Sequence, residues 1–328
     1  MAPDRTQHDS DRPGAADPGG PSTLACPGGD AAGAAAAAAP VLGNDCWFLS
    51  GPTAAGKTAL AIGLAQRLDA EIVSVDSMAV YRGLDIGTAK PSPAEQAQVP
   101  HHLIDLVPPG ETYSVARWLT AAAAAVDTIR SRGRRILFVG GTPLYLRAIR
   151  DGLAPLPAAD AALRSDLLVE ADRVGSAALH ARLAAIDPQA AARIHPNDVK
   201  RIVRGLEVSL VSGRTLSESF APVPHPVFET QLMVVDLPRS LLAARIDRRV
   251  DEMFARGLVE EVRRAEAAPG GIGPTARQAA GYSEALDFIA GRISLADAIR
   301  LTKQRTRQLA KRQLTWLRSF KNAVWITA

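Results

Sequence analysis

The chain has 328 residues, 47% of them apolar, and a net charge of +4, a composition that suits a soluble globular protein with a sizeable core. Cys26 and Cys46 are the only cysteines, which excludes a disulfide scaffold and a zinc framework and points to a reducing, cytoplasmic setting. No run reaches the ~18 strongly apolar residues of a membrane helix, so no membrane association is expected.

Residues 1–43 are mostly Ala, Gly, Pro and Asp and include the run "AAGAAAAAAP". Nothing there can bury a core, so a disordered tail is expected over 1–43. It lacks the basic start and ordered apolar centre of a signal peptide, and its removal is expected to leave activity unchanged. The tail carries five Asp against two Arg, which leaves +7 on the rest of a chain of net +4. A basic folded body points to a polyanionic partner.

After the tail, "CWFLS" (46–50) is a short apolar run ahead of a glycine-rich loop and reads as a buried parallel strand. "KTALAIGLAQRL" follows with helical spacing, and "EIVSVD" (71–76) reads as a second strand. Ser114 can cap a helix through "VARWLTAAAAAVDTIRSRG" that ends at Gly133, before a third strand in "RRILFVGG" (134–141). From Leu153 to Phe228 no strand is evident. "ADAALRSDLLVEADRVG", "SAALHARLAAID", "PQAAARI" and "NDVKRIVRGLEVSLVSG" are all helical, and Pro155, Pro157, Pro222, Pro224 and Pro226 punctuate the ends. "TQLMVVDL" (230–237) is a fourth strand, followed by the helix "SLLAARIDRRVDEMFARG", and "NAVWIT" (322–327) a fifth. The alternation predicts an α/β fold: a P-loop, doubly wound parallel sheet over 44–152 and 229–328, with an all-helical insertion at 153–228.

The cradle Gly51, Pro52, Thr53, Ala54, Ala55, Gly56, Lys57, Thr58 fits G-x-x-x-x-G-K-[ST] between a strand and a helix, the context this motif requires. Its glycines let backbone N–H groups wrap an anion, and the helix N-terminus adds positive potential. Lys57 is suited to terminal phosphate oxygens and Thr58 to a Mg²⁺ ion. A nucleoside triphosphatase also carries an acid at the end of a hydrophobic strand. Here "ILFVGGT" ends in Gly140, Gly141 and Thr142, with no carboxylate, whereas "EIVSVDS" ends in Asp76 and Ser77. Asp76 is suited either to hold a metal, as in a kinase, or to take a proton from a nucleophile.

Eight segments, in order, resemble the tRNA dimethylallyltransferase (tRNA isopentenyltransferase) family: "GPTAAGKTALA", "SVDSMAVYRGLDIGTAKP", "HHLIDLVPP", "YSVARW", "VGGTPLYLRAI", "GL-PLP", "HPNDVKRIVRGLEV" and "RQLAKRQLTWLR". The likeness runs from about residue 46 to 320, and residues 1–43 have no counterpart in it. It implies transfer of a dimethylallyl group from dimethylallyl diphosphate to N6 of adenosine 37, in tRNAs reading codons that begin with uridine. The cradle would then hold a prenyl diphosphate with Mg²⁺, and the diphosphate would be the leaving group. The missing acid after "ILFVGG" fits, because no phosphoryl group is attacked.

The same resemblance assigns residues. Asp76 matches the base and Thr142 a residue that helps position the amine. Arg245 and Arg249, four apart on one helix face where the family has arginines, resemble the clamp arginines of P-loop kinases, the alternative being solvated surface charge. Contacts with tRNA are implied for Asp76, Ser77, Met78 and Ala79, for Lys200, Arg201, Ile202, Val203 and Arg204, and for Gly281 and Tyr282. The last two lie in "QAAGY", where the family more often has "QAIGY". "RLTKQRTRQLAKRQLTWLRSFK" (300–321) adds eight Lys/Arg, no acid, and Trp316 and Phe320, either a phosphate-tracking stripe or a solvated helix face. Asp85, Gly87, Thr88 and Lys90 form a loop expected beside the substrate. His101 and His102 lack metal-ligand spacing and read as a structural turn, and Trp47 and Trp118 as core. Three alternatives are an ATP-dependent small-molecule kinase, a prenyltransferase acting on free AMP or ATP, and a non-catalytic nucleic-acid binder. A kinase makes ADP, the second has little use for a basic insertion, and the third has no need of Asp76 beside a complete cradle. The protein is expected to act as a monomer.

Overall fold

The structure is a computed structural model that describes residues 39–154, 156–219 and 231–327. The expected tail through residue 38, Pro155, and the stretch with Pro222, Pro224, Pro226 and Phe228 lie outside the described residues.

In chain order the elements are β1 (Cys46–Ser50), α1 (Lys57–Leu68), β2 (Ala70–Ser74), α2 (Pro93–Gln96), β3 (His101–His102), α3 (Val115–Ser131), β4 (Arg135–Val139) and α4 (Pro143–Asp151). Then come α5 (Ala161–Val174), α6 (Ser176–Ile186), α7 (Pro188–Arg193) and α8 (Val199–Ser212). The chain finishes with β5 (Leu232–Asp236), α9 (Arg239–Ala255), α10 (Leu258–Ala267), α11 (Tyr282–Ile289), α12 (Leu295–Leu317) and β6 (Val324–Thr327). Ser114 caps α3 as its side chain predicts, accepting a hydrogen bond from the Arg117 N–H at 3.2 Å.

The six strands form one parallel sheet in the order β3-β2-β4-β1-β5-β6. Successive residues of a strand point to opposite faces, and across the central strands β2, β4, β1 and β5 both faces are largely buried, as parallel sheets require, while β6 at the edge is mostly exposed. Phe48, Val73, Val75 and Phe138 pack against α3 and α4, where Trp118 is fully buried and stacks on Tyr145 at 4.5 Å. Leu49, Ile72, Leu137 and Val235 pack on the other face against α1, α9 and α12. Two cores, one per face, make the sheet doubly wound.

Three details depart from the expectations. β3 is a two-residue edge strand, not a turn, with His101 and His102 in register with Ile72 and Val73. His102 Nε2 lies 2.6 Å from Oε2 of the buried Glu71, which also pairs with Arg132. Trp47 is only partly buried, and its Nε1 has no partner among the described residues. Leu42, assigned by composition to the tail, is 5% exposed in the main core, so truncation at 43 removes a core side chain. Among the described residues of 153–228 there is no strand, and α5 to α8 enclose a hydrophobic cluster of their own that includes Leu183, Ile202, Val203 and Leu206. No described helix is long and apolar enough to cross a membrane.

The ends of β2 and β4 approach closely. A Cβ on Gly140 would stand 2.1 Å from the Val75 carbonyl oxygen, so only glycine fits. Gly140→Ala should cost about 3 kcal/mol. Gly63→Ala in α1, whose methyl group meets nothing within 4 Å, should gain about 0.5–1 kcal/mol. Urea denaturation of the two variants checks this contrast.

Candidate active site

β2 and its extension present Ile72, Ser74 and Asp76 on one face, at the two-residue period of a strand. They line a cavity on the face that α1 covers, together with the phosphate cradle, the loop Thr88–Pro91, and Arg249.

The cradle takes the left-handed turns its glycines allow. Gly51 has φ +150°, and a Cβ there would meet the Val235 carbonyl oxygen at 2.8 Å; Gly56 has φ +91° and caps α1. Ala54 is also left-handed, at φ 64°, a conformation that costs a non-glycine residue about 1–2 kcal/mol. Such turns aim backbone N–H groups at an anion, and the N-terminus of α1 reinforces the field. Lys57 Nζ donates to the carbonyl oxygens of Gly51 at 3.0 Å and Pro52 at 2.7 Å. Burial pulls Lys57 down to about 8; Asp76 opposes the shift and Arg249 adds to it. Burial also lowers Arg249 below the usual arginine value, and Arg249 has no hydrogen-bond or ion-pair partner among the described residues. Arg245 Nη1 donates to the Ala55 carbonyl oxygen at 3.4 Å. Both arginines are half-buried at the cradle, unlike their neighbour Arg248.

Asp76 follows β2 in a tight turn, where its Oδ1 accepts the Met78 N–H at 2.8 Å. Its Oδ2 has no partner among the described residues. Thr142 Oγ1 accepts the Ser77 N–H at 3.1 Å and lies 3.4 Å from Ser77 Oγ, so this hydroxyl holds the turn. Gln313 was not singled out from sequence. From α12 it accepts the Thr53 N–H at 2.9 Å and donates to the Gly141 carbonyl oxygen at 2.8 Å, tying the cradle to the end of β4. Its signal was there: Gln313 sits on the buried stripe Thr302, Thr306, Ala310, Leu314, Leu317, and a polar side chain in a core phase needs a partner.

The described residues hold no cluster of three or more His, Cys, Asp or Glu fit for a metal. Thr58 and Asp76 line the cavity and offer oxygen alone. That sparse set fits a hard divalent cation that draws its other ligands from phosphate and water, and does not fit zinc.

A family profile described as IPP transferase matches residues 79–320, and one described as isopentenyl transferase matches residues 44–105. The chain belongs to the IPP transferase family. A tRNA dimethylallyltransferase of Anaeromyxobacter dehalogenans is 50% identical over 281 residues, which covers 85% of this chain and 93% of the relative. One from Geobacter metallireducens is 47% identical over 284 residues, covering 85% and 91%. Among solved structures, a tRNA isopentenylpyrophosphate transferase from Bacillus halodurans matches with a TM-score of 0.61 and 39% identity, over 86% of this chain and 89% of its own. A eukaryotic dimethylallyltransferase acting on tRNA matches with a TM-score of 0.68 and 28% identity, over 85% and 73%.

In this IPP transferase several residues expected to meet tRNA are buried. Tyr282 is 0% exposed, and its hydroxyl donates to Glu261 at 2.6 Å. Gly281 is buried as the left-handed cap of α11, and a Cβ there would strike Leu258 at 2.7 Å. Ile202 and Val203 sit in the insertion's core, and Ala79 is 4% exposed in the cavity lining. Met78 packs against the main core. Arg204 pairs with buried Glu207 at 2.8 Å and donates to the Pro157 carbonyl oxygen. Lys200 and Arg201 are exposed. Half of the α12 stripe is neutralised: Arg300 by Asp297 in the first turn of the same helix, and Lys303, Arg305 and Arg307 by Asp251, Glu284 and Asp247 from other segments. Lys311, Arg312, Arg318 and Lys321 are exposed with no acid partner among the described residues. Phe320 is buried, and Trp316 lies under the Arg147 guanidinium.

The free protein loses the Lys57 proton near pH 8, while a bound anion favours the charged form. Affinity for inorganic pyrophosphate should therefore fall as pH rises through about 8, with no such inflection in Lys57→Met. Calorimetric titration of both proteins across that range checks it.

Proposed function

We propose that the protein transfers a dimethylallyl group from dimethylallyl diphosphate to N6 of adenosine 37, in tRNAs that read codons beginning with uridine. The products are N6-(dimethylallyl)adenosine and diphosphate. One observation carries the reading: a carboxylate with a free oxygen, Asp76, lines the same cavity as a complete phosphate cradle, while β4 ends in glycines with no acid. A kinase would need that acid for its metal.

The exocyclic amine of adenine is a weak nucleophile because its lone pair is delocalised into the ring. As N6 bonds to C1 of the prenyl group, the C1–O bond breaks, and diphosphate leaves with the electron pair. The amine proton passes to Oδ2 of Asp76, since Oδ1 is engaged by Met78. Thr142 acts through Ser77 by holding this turn. Cradle N–H groups, Lys57, Arg249 and Arg245 stabilise the negative charge of the leaving group. Thr58 is the residue suited to hold Mg²⁺, which would neutralise diphosphate charge when bound.

Adenosine reaches the cavity extruded from the anticodon loop, at a cost of a few kcal/mol. Lys200 and Arg201 on the insertion and the four unpaired cations after residue 310 supply the phosphate contacts that offset it, in a salt-sensitive way. The enzyme works as a monomer in the cytoplasm, on tRNA.

The test incubates the protein with Mg²⁺, labelled dimethylallyl diphosphate and bulk tRNA, with ATP and AMP as competing acceptors. Label should enter tRNA alone. Asp76→Asn should keep tRNA affinity and slow single-turnover transfer by about 100-fold or more. Wild-type turnover in that variant would remove Asp76 as the base, and ADP formation from ATP would favour a kinase.

A further inference from the structure

One wall of the cavity is the loop Thr88–Pro91. Its backbone is unusual, with Ala89 left-handed at φ 52°, and it is fastened at both ends. At the far end Lys90 Nζ donates to the Tyr81 carbonyl oxygen at 2.9 Å and pairs with Asp85 at 2.5 Å and Asp105 at 2.6 Å. At the near end stands Glu261, on α10, a carboxylate only 3% exposed.

Glu261 Oε2 accepts the N–H groups of Asp85 and Ile86, both at 2.8 Å. Its Oε1 accepts the Gly87 N–H at 3.2 Å and the Tyr282 hydroxyl at 2.6 Å. Burial, then the charge of Glu261, holds that hydroxyl well above the ordinary tyrosine value, so it stays a donor. The loop lies against the Tyr282 ring, where a Cβ on Gly87 would come within 2.3 Å. A buried carboxylate without a cation is costly unless its donors are complete. Here three successive backbone donors of one turn supply most of them, in bonds strengthened by the negative charge.

The fastening also determines what the wall shows to the cavity. Thr88 Oγ1 donates to the Leu84 carbonyl oxygen at 2.6 Å, and the Lys90 ammonium is spent on its three oxygens. With the polar tips engaged elsewhere, the wall offers Ala89, Pro91 and side-chain stems, beside Ala61, Ile72 and Ile104. An apolar wall in a cavity that otherwise bears cations suits a hydrocarbon group attached to an anion.

We infer that Glu261 is a positioning residue for the prenyl donor: through the N–H groups of residues 85–87 it holds the wall on which the donor's hydrocarbon packs, while the cradle takes the diphosphate. This rests on the reading of the cavity as a prenyl diphosphate site. Pyrophosphate feels the cradle alone, and dimethylallyl diphosphate feels both cradle and wall, so the two ligands separate the contributions.

The experiment measures the affinity of Glu261→Gln and Tyr282→Phe for dimethylallyl diphosphate, for pyrophosphate and for tRNA, beside the wild type. Glu261→Gln turns one acceptor into an amide that faces N–H donors. It should weaken dimethylallyl diphosphate by about tenfold or more, with pyrophosphate and tRNA within about twofold. Amide exchange of Asp85, Ile86 and Gly87 should accelerate in the same variant. Tyr282→Phe removes one donor of four and should show the same split at smaller size, and it decides the matter where Glu261→Gln does not fold. Equal weakening of both diphosphates, or of neither, overturns the inference. A wild type that binds pyrophosphate but gains nothing from the dimethylallyl group overturns the prenyl-donor reading instead.

Discussion

The ends of β2, β4 and β1 are spliced together by a few hydrogen bonds at two residues, Val75 and Gly140. Val75 joins β2 to the end of β4. Its N–H donates to the Val139 carbonyl oxygen at 2.7 Å, and its own carbonyl oxygen accepts the Thr142 N–H at 3.2 Å. Gly140 allows the approach and donates to the Leu49 carbonyl oxygen at 3.1 Å, while Ser50 Oγ donates to the Gly140 carbonyl oxygen at 2.8 Å. β1 feeds the cradle and β2 feeds Asp76, so these bonds set the relation between the anion site and the carboxylate. Gln313 repeats the constraint from outside the sheet, bridging Thr53 to Gly141. A displacement of an ångström between such groups is enough to cost a large part of a reaction rate.

The charges at this junction are unequal, and that inequality is the chemistry. The cradle side carries Lys57 and Arg249, both lowered by burial, and therefore poised to gain from an anion. The other side carries one carboxylate with one oxygen engaged. A site of this kind can hold a leaving anion and remove a single proton. The left-handed cradle stores strain that an anion's hydrogen bonds can offset.

Much of this was legible in the sequence, for identifiable reasons. The P-loop could be read because its glycines answer to backbone geometry, and β1, β2, β4 and β5 because parallel strands buried on both faces are continuous apolar runs. β3 was invisible, since two residues have no period and its histidines look polar. The residues expected to meet tRNA divide between surface and core, a division that their motifs do not show. Between Lys200 and Arg204 the helix period sends Ile202 and Val203 inward and leaves Arg204 to Glu207. The acid-free stretch 300–321 reads as more strongly charged than it is, because its neutralising acids come from α9, α11 and the start of α12. Glu261 and Gln313 were missed although each is a polar residue in the buried phase of its helix, a pattern that marks a partner to be found.

The proposed transfer requires the carboxylate of Asp76 to meet the acceptor amine while the cradle holds the leaving group. A crystal structure with an anticodon stem-loop and an unreactive thio analogue of the prenyl diphosphate measures this directly. Asp76 Oδ2 should lie within about 3.2 Å of N6, with diphosphate oxygens on the N–H groups of the cradle. An Asp76 that turns away from the purine, or coordinates a cation with both oxygens, would contradict it.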